Sequence, residues 1–277
     1  MLSNVTDALV FEPVLSRALL STVSVVLAPR YAGPVPPTAR ERARAAFTAD
    51  LLTAARSRLA ADGPAHLSLR AVARDLGVAS SAVYRYVPSR DALLTLLIID
   101  AYDEVGAACE RAEERARAAG APPAAVFLEV ARAFRAWALG HRSAFELVYG
   151  TPVPGYAAPE DTVPHAVRVW AVLVRVVVSA HVDGSWRPTG PTPAGDGLVD
   201  TPALDLGAAV AAASGADVTV APVDVVRTFA LFTAVLGAVT AELFGHLHRA
   251  AADHPRVFDA VVAAAAAGAG LHVTLDG

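Results

Sequence analysis

The sequence predicts an all-α protein: an N-terminal three-helix domain with a helix-turn-helix, then a larger helical body. Ala, Leu, Val and Arg run in long stretches broken by Gly/Pro clusters, aromatic residues make up only 6% of the chain, and no series of short alternating strands occurs. With 277 residues and 55% apolar content, there is core material for two modest domains, and general disorder is excluded.

Residues 1–37 read as an N-terminal extension that ends in the linker cluster Pro29, Gly33, Pro34, Pro36 and Pro37. Its earlier part reads either as a short amphipathic helix or as a loosely attached arm. A helix begins at Arg40 with Phe47, Leu51, Ala55 and Leu59 every fourth residue on one face, and Asp62-Gly63-Pro64 stops it. Further helices are expected from Ser68, from about Ser80, and from Ser89 as N-cap to about Ala119. The boundary between a DNA-binding domain, 38–88, and a body, 89–277, is placed there. In the body, helices are expected at about Ala124–Leu139, His141–Tyr149, Pro164–His181, Val223–Leu247 and Pro255–Ala267. Between Gly184 and Pro202, eight of nineteen residues are Gly or Pro, which predicts a mobile surface excursion.

Net charge is -4, but its distribution is uneven. From Thr38 to Asp91 nine Arg face five acids, a local balance of +4, leaving -8 on the remainder. A basic head on an acidic body suits a DNA partner. The single cysteine, Cys109, cannot form an internal disulfide, and no Cys/His cluster has zinc spacing, so a reducing cytoplasm without metal or cofactor is expected. The apolar stretch Leu19–Ala28 lacks the basic start of a signal peptide, and no run is read as reaching transmembrane length, so no membrane partner is expected.

The segment from Leu69 to Pro88 meets several independent demands of a helix-turn-helix. Two short helices that cross steeply need a small residue at the contact, supplied by Ala73, and a turn residue tolerant of positive φ, supplied by Gly77. Val72, Leu76, Val78, Val83 and Tyr86 fall inward, which leaves Arg70, Arg74, Ser80, Ser81, Tyr84 and Arg85 outward.

Leu67-Ser68-Leu69-Arg70-Ala71-Val72-Ala73-Arg74-Asp75-Leu76-Gly77-Val78, followed by Ala82-Val83-Tyr84-Arg85-Tyr86-Val87-Pro88-Ser89-Arg90-Asp91-Ala92-Leu93-Leu94, closely resembles the DNA-binding domain of the TetR family. More loosely, Phe134–Leu139 and Phe145–Gly150 resemble effector domains of that family, and Leu236-Gly237 with Glu242–Leu247 resembles its dimerisation helix. The resemblance implies a homodimeric regulator, in the main a repressor, on palindromic double-stranded operator DNA. It implies that Arg70, Ser80 and Ser81 face base edges and that Tyr84 and Arg90 hold phosphates, with Arg85 on the same surface. The chemistry agrees, since Arg donates two hydrogen bonds to guanine and a serine hydroxyl pairs with either polarity. Where the family commonly has a capping hydroxyl, this chain has Ala79, so Ser80 is expected to take over the cap.

The resemblance also implies a small-molecule effector. Phe134, Trp137, His141, Phe145 and Tyr149 recur at helical spacing and read either as plain core or as the wall of an apolar pocket, with His141, Arg175 or His181 as polar anchors. The nearly uncharged segment Val225–Leu243 needs burial on more than one side, and its small residues Ala234, Gly237 and Ala241 would allow a second copy to approach. Two other classes remain open on sequence alone: a hydrolase using His141, His165, His181 and Asp183, although no nucleophile elbow or HExxH accompanies them, and a helical protein-binding adaptor.

Overall fold

The computed structural model describes residues 38–192 and 197–275, so the expected N-terminal extension lies outside the described residues. Among those described, the chain is helical without strands. The head consists of α1 (Ala39–Asp62), α2 (Leu69–Asp75) and α3 (Ser80–Tyr84), and a long α4 (Arg90–Ala118) leads into the body. The body comprises α5 (Pro123–Gly140), α6 (Arg142–Tyr149), α7 (Val163–Ala166), α8 (Arg168–Val182), α9 (Thr201–Ala213), α10 (Pro222–Leu243) and α11 (His254–Ala269).

Local chemistry sets the starts. Thr38 and Glu41 form a capping box on α1, the Thr38 hydroxyl accepting from the Glu41 amide at 3.2 Å and the Glu41 carboxylate accepting from the Thr38 amide at 2.7 Å. Ser89 caps α4 by accepting from the Ala92 amide at 3.0 Å.

Two apolar cores share the same long helix. Leu93, Leu94, Leu97 and Ile98 of α4 pack into the head core with Leu51, Leu59, Val72 and Val83. One turn further along, Ala101, Val105, Cys109, Ala112 and Ala116 enter the body core with Phe127, Phe134, Val172, Val176 and Leu231. The boundary expected after residue 88 therefore cuts through one packed unit: the first turns of α4, and Leu147 and Val153 beyond it, belong to the head core. A capping residue marks where a helix begins, not which core its first turns enter.

Arginines staple the helices together. Arg175 of α8 forms a forked pair with Glu113 of α4 at 2.5–3.1 Å, and Arg168 spans Asp103 and Glu110 of α4 at 2.7 and 2.6 Å. Arg135 of α5 grips Glu242 of α10 at 2.5 Å, and Arg132 reaches Asp259 of α11 at 2.7 Å.

Beyond the domain boundary, the helices and connections of the body depart from expectation at five places. The helix expected over Pro164–His181 is divided at Val167, immediately before the Arg168 that bridges to α4. Helix α10 stops at Leu243, short of Leu247, where Phe244 caps it and Gly245 turns at φ 74°. Helix α9 lies where no helix was expected; the Asp200-Thr201-Pro202 start and the Leu206/Val210 spacing are its only signals, and both buried residues pack on Val174 and Val178 of α8. Two stretches, Glu160–Val182 and Pro222–Leu243, are long and apolar enough to cross a membrane, contrary to the expectation that none is. Their scattered charges hide this in the sequence, and in the fold Arg168, Arg175, Asp224, Arg227 and Glu242 of these stretches are paired, as in Arg175 with Glu113, while both stretches contribute to the body core.

The fifth departure is the Gly/Pro excursion, which is partly anchored. The Arg187 amide donates to the Gly270 carbonyl at 3.0 Å, the Gly190 amide to that of Gly268 at 2.9 Å, and the Thr189 hydroxyl to that of Ala267 at 3.0 Å. These bonds satisfy carbonyls at the end of α11 that have no partner within the helix. A Cβ at Gly190 would stand 2.7 Å from the Gly268 oxygen, so only glycine allows this approach. Gly190→Ala is expected to destabilise the protein by about 1–3 kcal/mol, read as a lower Tm in thermal melts; an unchanged Tm would show that the strap contributes nothing.

Candidate nucleic-acid interface

The turn between α2 and α3 is built by the residues the sequence singles out. Gly77 adopts φ 67°, and the Val78 amide returns to the Ala73 carbonyl at 3.0 Å over a fully packed Ala73. Val72 and Val83 are completely buried on either side of the turn, while Leu76, Val78 and Tyr86 are half-buried. Helix α3 starts after Ala79 without a side-chain cap; Ser80 is its first helical residue, so the cap does not shift to Ser80 as expected.

On the outer face Arg70, Ser81, Tyr84 and Arg85 are exposed, and Ser80 is half-buried. Arg70 projects from α2, and Ser80, Ser81 and Tyr84 from α3. Arg90 is half-buried and partly committed: its guanidinium donates to the Pro64 carbonyl at 2.7 Å and to that of Ala65 at 3.2 Å, which ties the start of α4 to the turn before α2. Arg44 lies over the Tyr86 ring at 5.6 Å, and Phe47 packs against the same ring at 4.4 Å, so one guanidinium of α1 is held at the edge of this surface.

Arg58 of α1 grips Asp75 at the end of α2 with two hydrogen bonds of 2.5 and 2.6 Å. Sequence spacing offered no hint of this pair, because the partners are 17 residues apart on different helices. Where the head meets the body, Arg56 of α1 pairs with Asp100 at 2.5 Å and Glu104 at 2.8 Å, both on α4. These residues line a cleft of about 180 Å³ together with Leu59, Leu97 and His141.

In the body, the expected aromatic stripe comes together. Phe134 and Phe145 are buried, each with its ring centre 5.5 Å from that of Tyr149, and Trp137 lies 6.3 Å from Phe134. His141 is exposed at the junction of α5 and α6, stacked on Trp137, with Nδ1 donating to the Trp137 carbonyl at 2.9 Å. Sequence reasoning missed Tyr102 of α4 and Phe232 of α10, whose rings lie 5.9 and 6.1 Å from Tyr149; Phe232 falls in a helix read only for dimerisation.

Arg175 and His181, expected as anchors, lie apart from this cluster. Arg175 is bound to the buried Glu113; His181 stacks on Trp186 at 4.9 Å and donates Nδ1–H to the Val177 carbonyl at 3.0 Å. The histidines of the hydrolase alternative are also dispersed, His165 pairing with Asp103 at 2.7 Å on a third surface. Among the described residues no group of metal-type ligands assembles.

On α10 and α11, Gly237, Phe229 and Val261 are exposed, whereas Ala234 and Ala241 are half-buried. A Cβ at Gly237 would meet nothing within 4 Å.

Two protein-family models match the chain: "Bacterial regulatory proteins, tetR family" over residues 51–97, and "Tetracyclin repressor-like, C-terminal domain" over residues 127–265. HTH-type transcriptional regulator Rv1816 of Mycobacterium tuberculosis (strain ATCC 25618 / H37Rv) is 37% identical over 210 residues, covering 74% of this chain and 84% of that protein. The same figures hold for HTH-type transcriptional regulator Mb1846 of Mycobacterium bovis. Of solved structures, SCO4313 aligns with TM-score 0.60 at 30% identity, covering 82% of this chain and 98% of its own. The TetR family regulator PfmR from Thermus thermophilus aligns with TM-score 0.51 at 14% identity, covering 82% of this chain and 99% of its own, which is a likeness of fold.

The guanidinium of Arg58 holds the Asp75 carboxyl below the usual carboxylate range. With the folded value depressed, the clamp's stabilisation is present above the unfolded value, about pH 4, and is lost as pH falls through the lower folded value. Asp75→Asn is therefore expected to melt lower than the parent at pH 7, with the gap closing as both are acidified below about pH 4. A gap of constant size across that titration would assign the effect to something other than the ion pair.

Proposed function

The chain belongs to the TetR family of DNA-binding transcriptional regulators, and we propose that it represses from a palindromic operator, which it releases when a small apolar effector enters the body. It is a regulator and not an enzyme. The reading of the DNA contacts is supported by an exposed polar face on two short helices whose inner faces are fully packed. In it, Arg70, Ser80 and Ser81 read bases, while Tyr84, Arg85 and the donors of Arg90 left over from its carbonyl clamp hold phosphates.

Effector release is carried by one observation, the sharing of α6 between the two cores. Phe145 is buried in the body core beside Tyr149, whereas Leu147, on the opposite side of the same helix, is buried in the head core with Val153. A molecule that displaces the aromatic cluster therefore moves a side chain of the head. It needs to favour the non-binding arrangement by only about 1–3 kcal/mol to weaken operator affinity roughly 5- to 150-fold.

Members of this family typically dimerise, and we assign the interface to the outer faces of α10 and α11. Phe229, Gly237 and Val261 present an apolar surface there that a second copy would cover in a four-helix bundle, with Ala234 and Ala241 at its border. The same assignment accounts for the membrane-length apolar helix α10 without a bilayer, which fits a protein that works on DNA in the cytoplasm.

Arg70→Ala is expected to weaken operator binding by about 1–3 kcal/mol and to relax preference at one base pair of each half-site. Selection from random duplexes followed by titration reads both effects, and a uniform loss across sequences would move Arg70 to the phosphate contacts. Gly237→Leu should obstruct the bundle and shift sedimentation at micromolar concentration toward monomer. Unchanged sedimentation would place the interface elsewhere.

A further inference from the structure

We propose that the effector is a neutral, largely apolar molecule whose carbonyl- or ether-type oxygens accept hydrogen bonds from the Tyr149 hydroxyl and the Trp137 indole N–H, an inference that rests on the effector-release reading above. Four buried side-chain polar atoms lack a partner among the described residues, and two of them, Tyr149 Oη and Trp137 Nε1, belong to the same aromatic cluster around Phe134. Trp137 is 6% exposed, so its N–H has no access to water. A buried donor without an acceptor is costly, and phenylalanine in place of Tyr149 would keep the ring packing without that cost. Tyr102, whose own hydroxyl donates to the Val148 carbonyl at 3.3 Å, completes the box with Phe134, Phe145 and Phe232, and the two donors left without a partner in it mark where an acceptor is received.

The arginines that join the body helices are not available to an ionised ligand. Arg135 is committed to Glu242, Arg168 to Asp103 and Glu110, and Arg175 to Glu113. None of these three arginines is left free for a carboxylate ligand, and Glu113 and Glu242, the same pairs seen from the other side, are not free for an ammonium ligand. The anchors suggested by the sequence do not serve a ligand in the box: Arg175 is neutralised, and His181 stands outside it on Trp186. Burial pushes the Cys109 thiol up to about 12 and the Tyr149 phenol well above its ordinary value, so both stay neutral.

Entry requires the half-buried Phe232 of α10 to give way, since its ring closes the box 6.4 Å from Phe134 and 6.1 Å from Tyr149. Tyr149 is also the last residue of α6, two positions from the Leu147 that sits in the head core. The hydrogen bond would thus form on the helix whose position both cores share.

Three probes of one shape separate the chemistries: acetophenone, neutral with an acceptor; ethylbenzene, neutral without one; and benzoate, anionic. Calorimetric titration of the full-length protein is expected to rank acetophenone first by about tenfold, as one restored hydrogen bond implies. Tyr149→Phe should erase most of that preference while raising Tm, and Phe232→Ala should tighten acetophenone binding by opening the box. Benzoate binding as tightly as acetophenone, or a preference unaffected in both Tyr149→Phe and Trp137→Phe, overturns the inference. If no probe binds even Phe232→Ala, the site is overturned as well. Operator release, measured separately by fluorescence anisotropy, keeps the two readings apart: ketone preference without release supports the chemistry of the site and overturns its role as an effector site.

Discussion

The fold depends on one continuous helix serving two cores. Leu93, Leu94, Leu97 and Ile98 of α4 are buried in the head, and Ala101, Val105, Cys109 and Ala112 of the same helix are buried in the body. A close-packed core cannot deform smoothly, so a rigid rod embedded in two of them passes on displacement instead of absorbing it. The pairing of Arg56 with Asp100 and Glu104 adds a polar tie beside the apolar one. Such exposed pairs contribute little stability, and their value here lies in holding α1 at a fixed rotation against α4.

The division of arginines between the two parts follows the division of work. In the body four of them join helices, Arg168 and Arg175 tying α8 to α4 and Arg132 and Arg135 tying α5 to α11 and α10. In the head, Arg58 serves the fold through Asp75 and Arg90 through the carbonyls of the turn before α2, whereas Arg70 and Arg85 stand exposed on the outer face. A net balance of charge does not distinguish these cases; what matters is whether a carboxylate lies within reach.

Helix α6, only eight residues long, also enters both cores. Phe145 faces one core and Leu147 the other, and Tyr149 closes the helix with a hydroxyl that finds no partner among the described residues. Under the proposed effector reading, a link between cores and an unsatisfied donor at the same place would let a ligand's binding energy act where the two cores meet.

The sequence by itself determined the all-helical class, the helix-turn-helix with its Ala73 contact and Gly77 turn, the capping of α4 by Ser89, and the aromatic stripe from Phe134 to Tyr149. All of these are written in local spacing, to which a period of 3.6 residues and the special conformation of glycine respond directly. Helix α9 escaped because its alanine-rich stretch buries only two large apolar residues, Leu206 and Val210. Tertiary structure alone decided that Arg175 belongs to Glu113, that Arg90 is tied to Pro64, that Phe232 and Tyr102 complete the aromatic box, and that Gly190 is pressed against Gly268. Each of these joins residues at least 26 positions apart, and the partner of a side chain at that range is fixed by how helices pack, which no local period encodes.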